Sequence, residues 1–285
     1  MEKIFFTIDS AGDLPKEISQ RCCEIEVIPL HIILGEESFK EGVDVQPLDV
    51  TEYVDKTKKL PKTSAVTVGE YIDVFKRLRK GGYSVIHISL SSKMSGSHQG
   101  ALIASKEFEN VYVIDSLLAT SAMSLLLLKG CEMRENGLSI NEIIEQLEEL
   151  KEKIKINFII NSLDYLHKGG RCSALARFGA NALGIKFCIE SQKGALGIKR
   201  KYRGRLLQCQ LSYIDDLVSE YKGRIDNKIA IFAYTPGISK ENKKIIKENI
   251  EKNIHFEEII TTQAGCTMTS HCGPETIAFL FITND

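Results

Sequence analysis

Short β-rich runs alternate with helix-length stretches through the first half of this chain, and that alternation restricts the fold more than any other feature. The runs at 4–8, 27–34, 84–90 and 111–114 are spaced by helical patterns at 68–80, 100–108, 119–135 and 140–153. Strands joined by helices of this length predict βαβ units on a parallel sheet. Gly137 closes one helix, and Ser139 opens the next with Glu142 three residues on, the pattern of a capping box. Past Lys155 the texture changes. Runs at 157–163, 194–200, 206–211, 228–234 and 276–283 read as shorter strands with glycine-rich connections. The expected class is α/β: an N-terminal parallel-sheet domain over 1–155 and a C-terminal α/β domain with a mixed or antiparallel sheet over 156–285. No Pro/Gly/Ser-rich linker separates them, which predicts close packing.

With 43% hydrophobic and 26% charged residues among 285, the chain can bury a sizeable core. Disorder, collagen and coiled coil are excluded by the same figures. Lys and Arg number 37 against 38 Asp and Glu, a net charge of −1, so no overall field draws nucleic acid. The apolar run at 117–128 falls short of the ~18–20 residues of a membrane span and carries Thr120, Ser121 and Ser124, so it reads as a buried helix. The amino terminus reads as a first strand rather than a secretory signal. Eight cysteines without CxxC spacing read as small core residues or free thiols, and the expected location is the cytoplasm.

Several familiar chemistries are absent from the sequence. There is no G-x-x-x-x-G-K-[ST] loop, no strand-linked G-x-G-x-x-G turn and no G-x-S-x-G elbow. The six histidines lack a second ligand at metal-binding spacing. Neither a metal nor a cofactor is expected, and the chain is not expected to bind ATP by itself.

What remains is a set of hydroxyl-rich and glycine-rich turns. The strand at 84–90 runs into Ser91-Ser92-Lys93-Met94-Ser95-Gly96-Ser97, with a helix starting near His98. Free amides at a helix N-terminus, its dipole and neighbouring hydroxyls suit an anion. Plain capping by Ser95 or Ser97 is the simpler alternative. Lys62-Thr63-Ser64 before the helix at 68–80 invites the same two readings. Asp9-Ser10-Ala11-Gly12-Asp13-Leu14-Pro15 reads as a turn with Pro15 starting a helix. Gly169-Gly170-Arg171 reads as a loop, the basic segment at 199–205 as a solvated hairpin, and His271-Cys272-Gly273-Pro274 as a tight turn before the last strand.

Taken together and in this order, these turns, with Val27-Ile28-Pro29-Leu30 and Asp115-Ser116, resemble the DegV family of bacterial fatty-acid-binding proteins over nearly the whole chain. The resemblance implies two α/β domains with one acyl chain between them. It implies a lipid-presenting subunit of a fatty acid kinase rather than an enzyme, with a separate kinase subunit supplying ATP. By matching positions, Thr63, Ser64, Ser92, Ser95, Gly96, Ser97 and His271 would surround the carboxylate. Arg171 and Arg203 would face phosphotransfer and the partner. Long-chain fatty acid and kinase subunit are thus the expected partners.

The chain also departs from the family pattern. T-S-Q-P-S becomes Thr63-Ser64-Ala65-Val66-Thr67, K-P-I-L becomes Lys186-Phe187-Cys188-Ile189, and H-x-G-P-G becomes His271-Cys272-Gly273-Pro274-Glu275. A second carboxylate ~6 Å from the head would cost ~2–3 kcal/mol at an effective dielectric of ~20. Glu275 is therefore expected to point away to solvent. Two rival readings make different demands. A hydrolase using Ser95 or Cys272 as nucleophile needs His271 within reach and a third group orienting it. An adaptor without ligand needs no cavity between the halves.

Overall fold

The computed structural model describes residues 3–172 and 184–285. Its N-terminal half carries a four-stranded, all-parallel sheet in the order β2-β1-β6-β7. These strands are β1 (Ile4–Asp9), β2 (Ile25–Ile28), β6 (Ser84–Ser89) and β7 (Val111–Asp115). Helices α1 (Lys16–Arg21), α3 (Val68–Lys80), α4 (Ser97–Ser105), α5 (Ser121–Glu135) and α6 (Ile140–Lys153) flank or follow them. The predicted bounds of α3 and α6 hold, and Ser139 with Glu142 forms the expected capping box.

The run at 27–34 is two strands rather than one. β2 ends before Pro29, and β3 (His31–Leu34) pairs with β4 (Glu37–Lys40) and β5 (Lys62–Ser64) in a separate antiparallel sheet. A proline has no N–H for a ladder, so the strand breaks there. Between β4 and β5 lies α2 (Pro47–Thr57), and the module has its own small core of Ile32, Val45 and Val50, closed by Cys266.

The C-terminal sheet is mixed, in the order β10-β9-β8-β13-β11-β12, with only β11 and β12 parallel. Its strands are β8 (Ile154–Ile160), β9 (Ile185–Gln192), β10 (Ala195–Arg203), β11 (Ile225–Tyr234), β12 (Glu258–Gln263) and β13 (Ile277–Thr283). The expected strand at 206–211 is instead the start of helix α8 (Leu206–Glu220). Cys209, Gln210, Tyr213, Ile214, Leu217 and Val218 are buried, a period of 3.6 that a six-residue window is too short to display. Helices α7 (Asp164–Gly169), α9 (Lys240–Asn253) and α10 (Cys266–Cys272) complete the described elements.

β13 shows how the layers stack. Ile277, Phe279 and Phe281 pack toward one core with α8, while Ala278, Leu280 and Ile282 join the core that contains α5 and the parallel sheet. The alternation is the period of two expected of a strand buried on both faces. Helix α5 is the shared element: every residue from Ser121 to Leu128 is buried, which matches the reading of that run as a core helix. Four consecutive leucines there, each burying ~1.5–3 kcal/mol of side chain, bind the halves into one continuous core. Gly130 lets α5 approach closely, because a Cβ there would sit 2.9 Å from the Phe6 ring. Gly130→Ala improves helix propensity by ~1 kcal/mol. The ring is fully buried and cannot yield, so a net destabilisation of ~1–3 kcal/mol is expected from overpacking. Urea unfolding measures it, and an unchanged or raised midpoint would contradict the packing.

Candidate functional site

The carboxyl ends of β1 and β6 lie side by side at the point where the parallel sheet reverses its winding, the usual place for a ligand in such a sheet. Asp9 ends β1 and is fully buried. It receives the Tyr71 hydroxyl at 2.6 Å and the Leu90 amide at 2.8 Å, which fixes the start of the 91–97 loop. Ser91 donates from there to the Gly194 carbonyl, tying the loop to the β9–β10 turn.

Between the halves lies a cavity of about 90 Å³. Its floor is a row across the C-terminal sheet, Phe158 beside Ala278 beside Ala233 on adjacent strands. Two alanines in that row leave space where larger side chains would close it. Leu30, Leu90, Met94, Leu166 and Met268 make up much of the remaining wall.

Polar groups gather at one region of the lining. Thr63, Ser64, Ser95, Arg171 and His271 all border the cavity. The Thr63 hydroxyl lies 2.8 Å from His271 Nε2, a bond between the two halves of the chain. His271 Nδ1 is buried and has no hydrogen-bond partner among the described residues, and it lies beneath Gly169, where a Cβ would come within 2.6 Å. Burial, reinforced by the nearby Arg171 guanidinium, pushes the imidazole down to about 4. Arg171 itself donates to the Gly169 carbonyl at 2.6 Å.

The structure sorts the sequence-predicted residues. Thr67, not Thr63 or Ser64, caps α3 through a capping box with Glu70, which leaves the other two hydroxyls for the cavity. Ser95 accepts the Ser97 amide at 3.1 Å and so serves the helix start while bordering the cavity. Ser92 is exposed and binds the Asp115 carboxylate, Gly96 is exposed, and Ser97 pairs with Ser95. None of these three borders the cavity. Arg171 shares the polar region with the hydroxyls, while Arg203 is exposed at the end of β10. The basic segment is not a simple solvated hairpin: Lys199 is paired with Glu190 and Glu220, and Arg200 with Asp216. Glu275 stays out of the cavity, as expected. It is half-buried rather than free in solvent, and its carboxylate accepts from Asn161 at 2.9 Å.

His271 and Cys272 form the last turn of α10 rather than a tight turn, and Gly273 caps that helix at φ 74°. Hydrolytic chemistry finds no support. His271 is bonded to Thr63, Ser95 to Ser97, and burial pushes the Cys272 thiol up to about 12.

Sequence reasoning missed what holds α10 in place. Asp13 accepts from the Gly265 amide at 2.8 Å and the Thr120 hydroxyl at 2.6 Å. Glu41 accepts from the Thr267 amide at 2.6 Å, the Thr267 hydroxyl at 2.7 Å and the Ser10 hydroxyl at 2.5 Å. Both carboxylates press on Gly265, where a Cβ would meet Asp13 Oδ1 at 2.6 Å and Glu41 Oε1 at 2.7 Å. The two oxygens are thus at most about 5 Å apart, where two unit charges repel by ~3 kcal/mol at an effective dielectric of ~20. Burial, with Glu41 adding to it, raises Asp13 to about 8, and burial raises Glu41. Thr120, held at φ 53°, is a β-branched residue in the left-handed region, and Asp13 grips its hydroxyl.

An apolar cavity lies between two α/β halves, with hydroxyls, an imidazole and a guanidinium in its lining, an arrangement suited to a molecule with a polar head and an apolar body. The family model for uncharacterised proteins of the DegV family matches residues 3–284, and the chain belongs to that family. It is 35% identical to a DegV domain-containing protein of Clostridium acetobutylicum, over 99% of both chains. It is 31% identical to a Thermotoga maritima protein named a fatty acid-binding protein, over 97% of this chain and 96% of that one. Among solved structures it resembles DegV of Bacillus subtilis, described as a fatty acid binding protein, with 29% identity, a TM-score of 0.85 and full coverage of both chains. It also resembles a stearic acid-binding protein of Eubacterium ventriosum, with 29% identity, a TM-score of 0.86, and 99% and 98% coverage.

The lowered His271 value has a measurable consequence. Between pH 6.5 and 4 the unfolded chain takes up a proton at this ring while the folded protein does not, so stability falls as the pH falls through that window. The loss is on the order of 3 kcal/mol. His271→Gln should remove that part of the slope. Urea midpoints of both proteins at pH 7 and 4.5 measure it, and identical slopes would contradict the burial of a neutral imidazole.

Proposed function

We propose that this protein binds a long-chain fatty acid in the cavity between its halves and presents the carboxylate to a separate kinase subunit, which supplies ATP and phosphorylates it. The observation that carries this reading is the Thr63–His271 pair at the polar part of a mostly apolar lining. The names of the Thermotoga and Eubacterium proteins support the fatty-acid part of it.

The energetics suit such a ligand. Each buried methylene contributes ~0.8 kcal/mol, part of which is lost to binding entropy. An unpaired buried carboxylate opposes the transfer. Hydrogen bonds to a charged group are worth ~1.5–3 kcal/mol each, so Thr63, Ser64 and Ser95 with His271 offset that cost. Arg171 borders the same polar region and faces the charge that develops as the head is phosphorylated. Hydroxyls hold the head without committing it to a salt bridge, which leaves it free to react. The acyl chain runs over the Phe158–Ala278–Ala233 row. Met94 and Met268, flexible side chains in the lining, can adapt their shape to the tail.

Replacing Thr63 and Ser95 together by Ala should weaken binding of labelled palmitate by about 100-fold or more, since two charge-assisted hydrogen bonds are lost. Equilibrium filtration measures it, and unchanged affinity would refute the placement of the head. Ala278→Phe, which fills the floor, should abolish uptake while urea unfolding stays cooperative. Undiminished uptake would move the tail elsewhere. Arg203→Glu should leave lipid content unchanged and lower the rate of acyl phosphate formation with the kinase subunit. Lost lipid with an unchanged rate per bound lipid would assign Arg203 to the pocket instead.

A further inference from the structure

Asp13 and Glu41 do not border the cavity, yet they fasten the helix that carries His271. We propose that these two carboxylates hold one proton between them, on Asp13, and act as a latch on α10, so that His271 stays against Thr63 only while the pair carries a single negative charge. The ligand-binding readout of this latch rests on the fatty-acid reading of the cavity.

The geometry favours one proton on the pair. Both side chains are buried, and their nearest oxygens converge on one glycine. Every hydrogen bond they receive comes from a neutral hydroxyl or an amide. The titratable groups facing the pair are the Cys266 and Cys272 thiols of α10, both raised to about 12 and therefore neutral, with Asp49 of α2 acting on Cys266 from beyond. Among the described residues no cation is recorded against either carboxylate. One proton removes the repulsion.

The proton resides on Asp13. Glu41 receives the Ser10 and Thr267 hydroxyls and the Thr267 and Cys266 amides, enough to hold an anion, whereas Asp13 receives one hydroxyl and one amide. Protonated Asp13 still accepts the Gly265 amide and turns its O–H to the Thr120 oxygen 2.6 Å away. Loss of that proton, near pH 8, places two anions side by side without a counter-ion. Strain of that kind is relieved by separating the groups. The joint between them is the first turn of α10, five residues before His271.

Binding of radiolabelled palmitate at pH 7 and 9.5 tests the latch. Across this range the fatty acid stays ionised and His271, lowered to about 4, stays neutral. Wild-type protein should bind at least tenfold more weakly at pH 9.5, while Asp13→Asn, which keeps a donor and an acceptor but cannot ionise, should bind alike at both. Should Asp13→Asn fail to fold, Glu41→Gln removes the second charge and takes its place. Flat wild-type binding, or a parallel decline in wild type and variant, would overturn the latch. If neither protein binds palmitate at pH 7, the fatty-acid reading fails, and amide hydrogen exchange in α10 decides the latch alone. Faster exchange in wild type than in the variant at pH 9.5, with equality at pH 7, supports it. Equal exchange at both overturns it.

Discussion

The hydrogen bond between Thr63 and His271 joins residues 208 positions apart, and the polar part of the cavity exists only because the two halves meet there. Thr63 is held from one side by pairing of β5 with β3, where it faces Ile32. His271 is held from the other by α10, a helix of seven residues that cannot keep its own place. Its position depends on the N-terminal half: Asp13 and Glu41 grip its first turn, and Cys266 fills the small core beneath β3 and α2. The cavity-lining imidazole is therefore carried by one half and positioned by the other.

The apolar part of the cavity follows from packing. Helix α5, whose first eight residues are all buried, binds the parallel sheet to the mixed sheet, and small residues at 233 and 278 leave the cavity near its start, where Ala119 and Thr120 join the lining. The same strand that lines the cavity with Ala278 fills its other face with Phe279 and Phe281. Space on one face and dense aromatic packing on the other let the sheet stay rigid beside an empty volume. A tail lying there needs no specific partners, since its burial is non-directional. Directionality is confined to the head.

Much of this was legible in the residues. The βα alternation is strong because α3 and α6 are long and amphipathic, and the start of α6 follows from its capping box. The hydroxyl turns were visible as clusters after strands. Where the reading failed, the signal was local and the cause was not. The run at 206–211 has the composition of a strand, and only the next turn of the helix reveals its period. α10 is short and rich in threonine and cysteine, so tertiary hydrogen bonds, not propensity, make it helical. Ser92 and Ser95 look equivalent in the sequence, but Asp115 draws the first away from the cavity. The Asp13–Glu41 pair was invisible because nothing in a sequence says that two acids 28 positions apart converge on one glycine.

The central claim is that this polar pair and the cavity beside it take up the head and tail of one acid. Denaturing the purified protein and identifying the released lipid by mass spectrometry tests it most directly. One long-chain fatty acid per chain is the expected result. Protein that releases no lipid, and takes up none of an added stoichiometric palmitate, would contradict it.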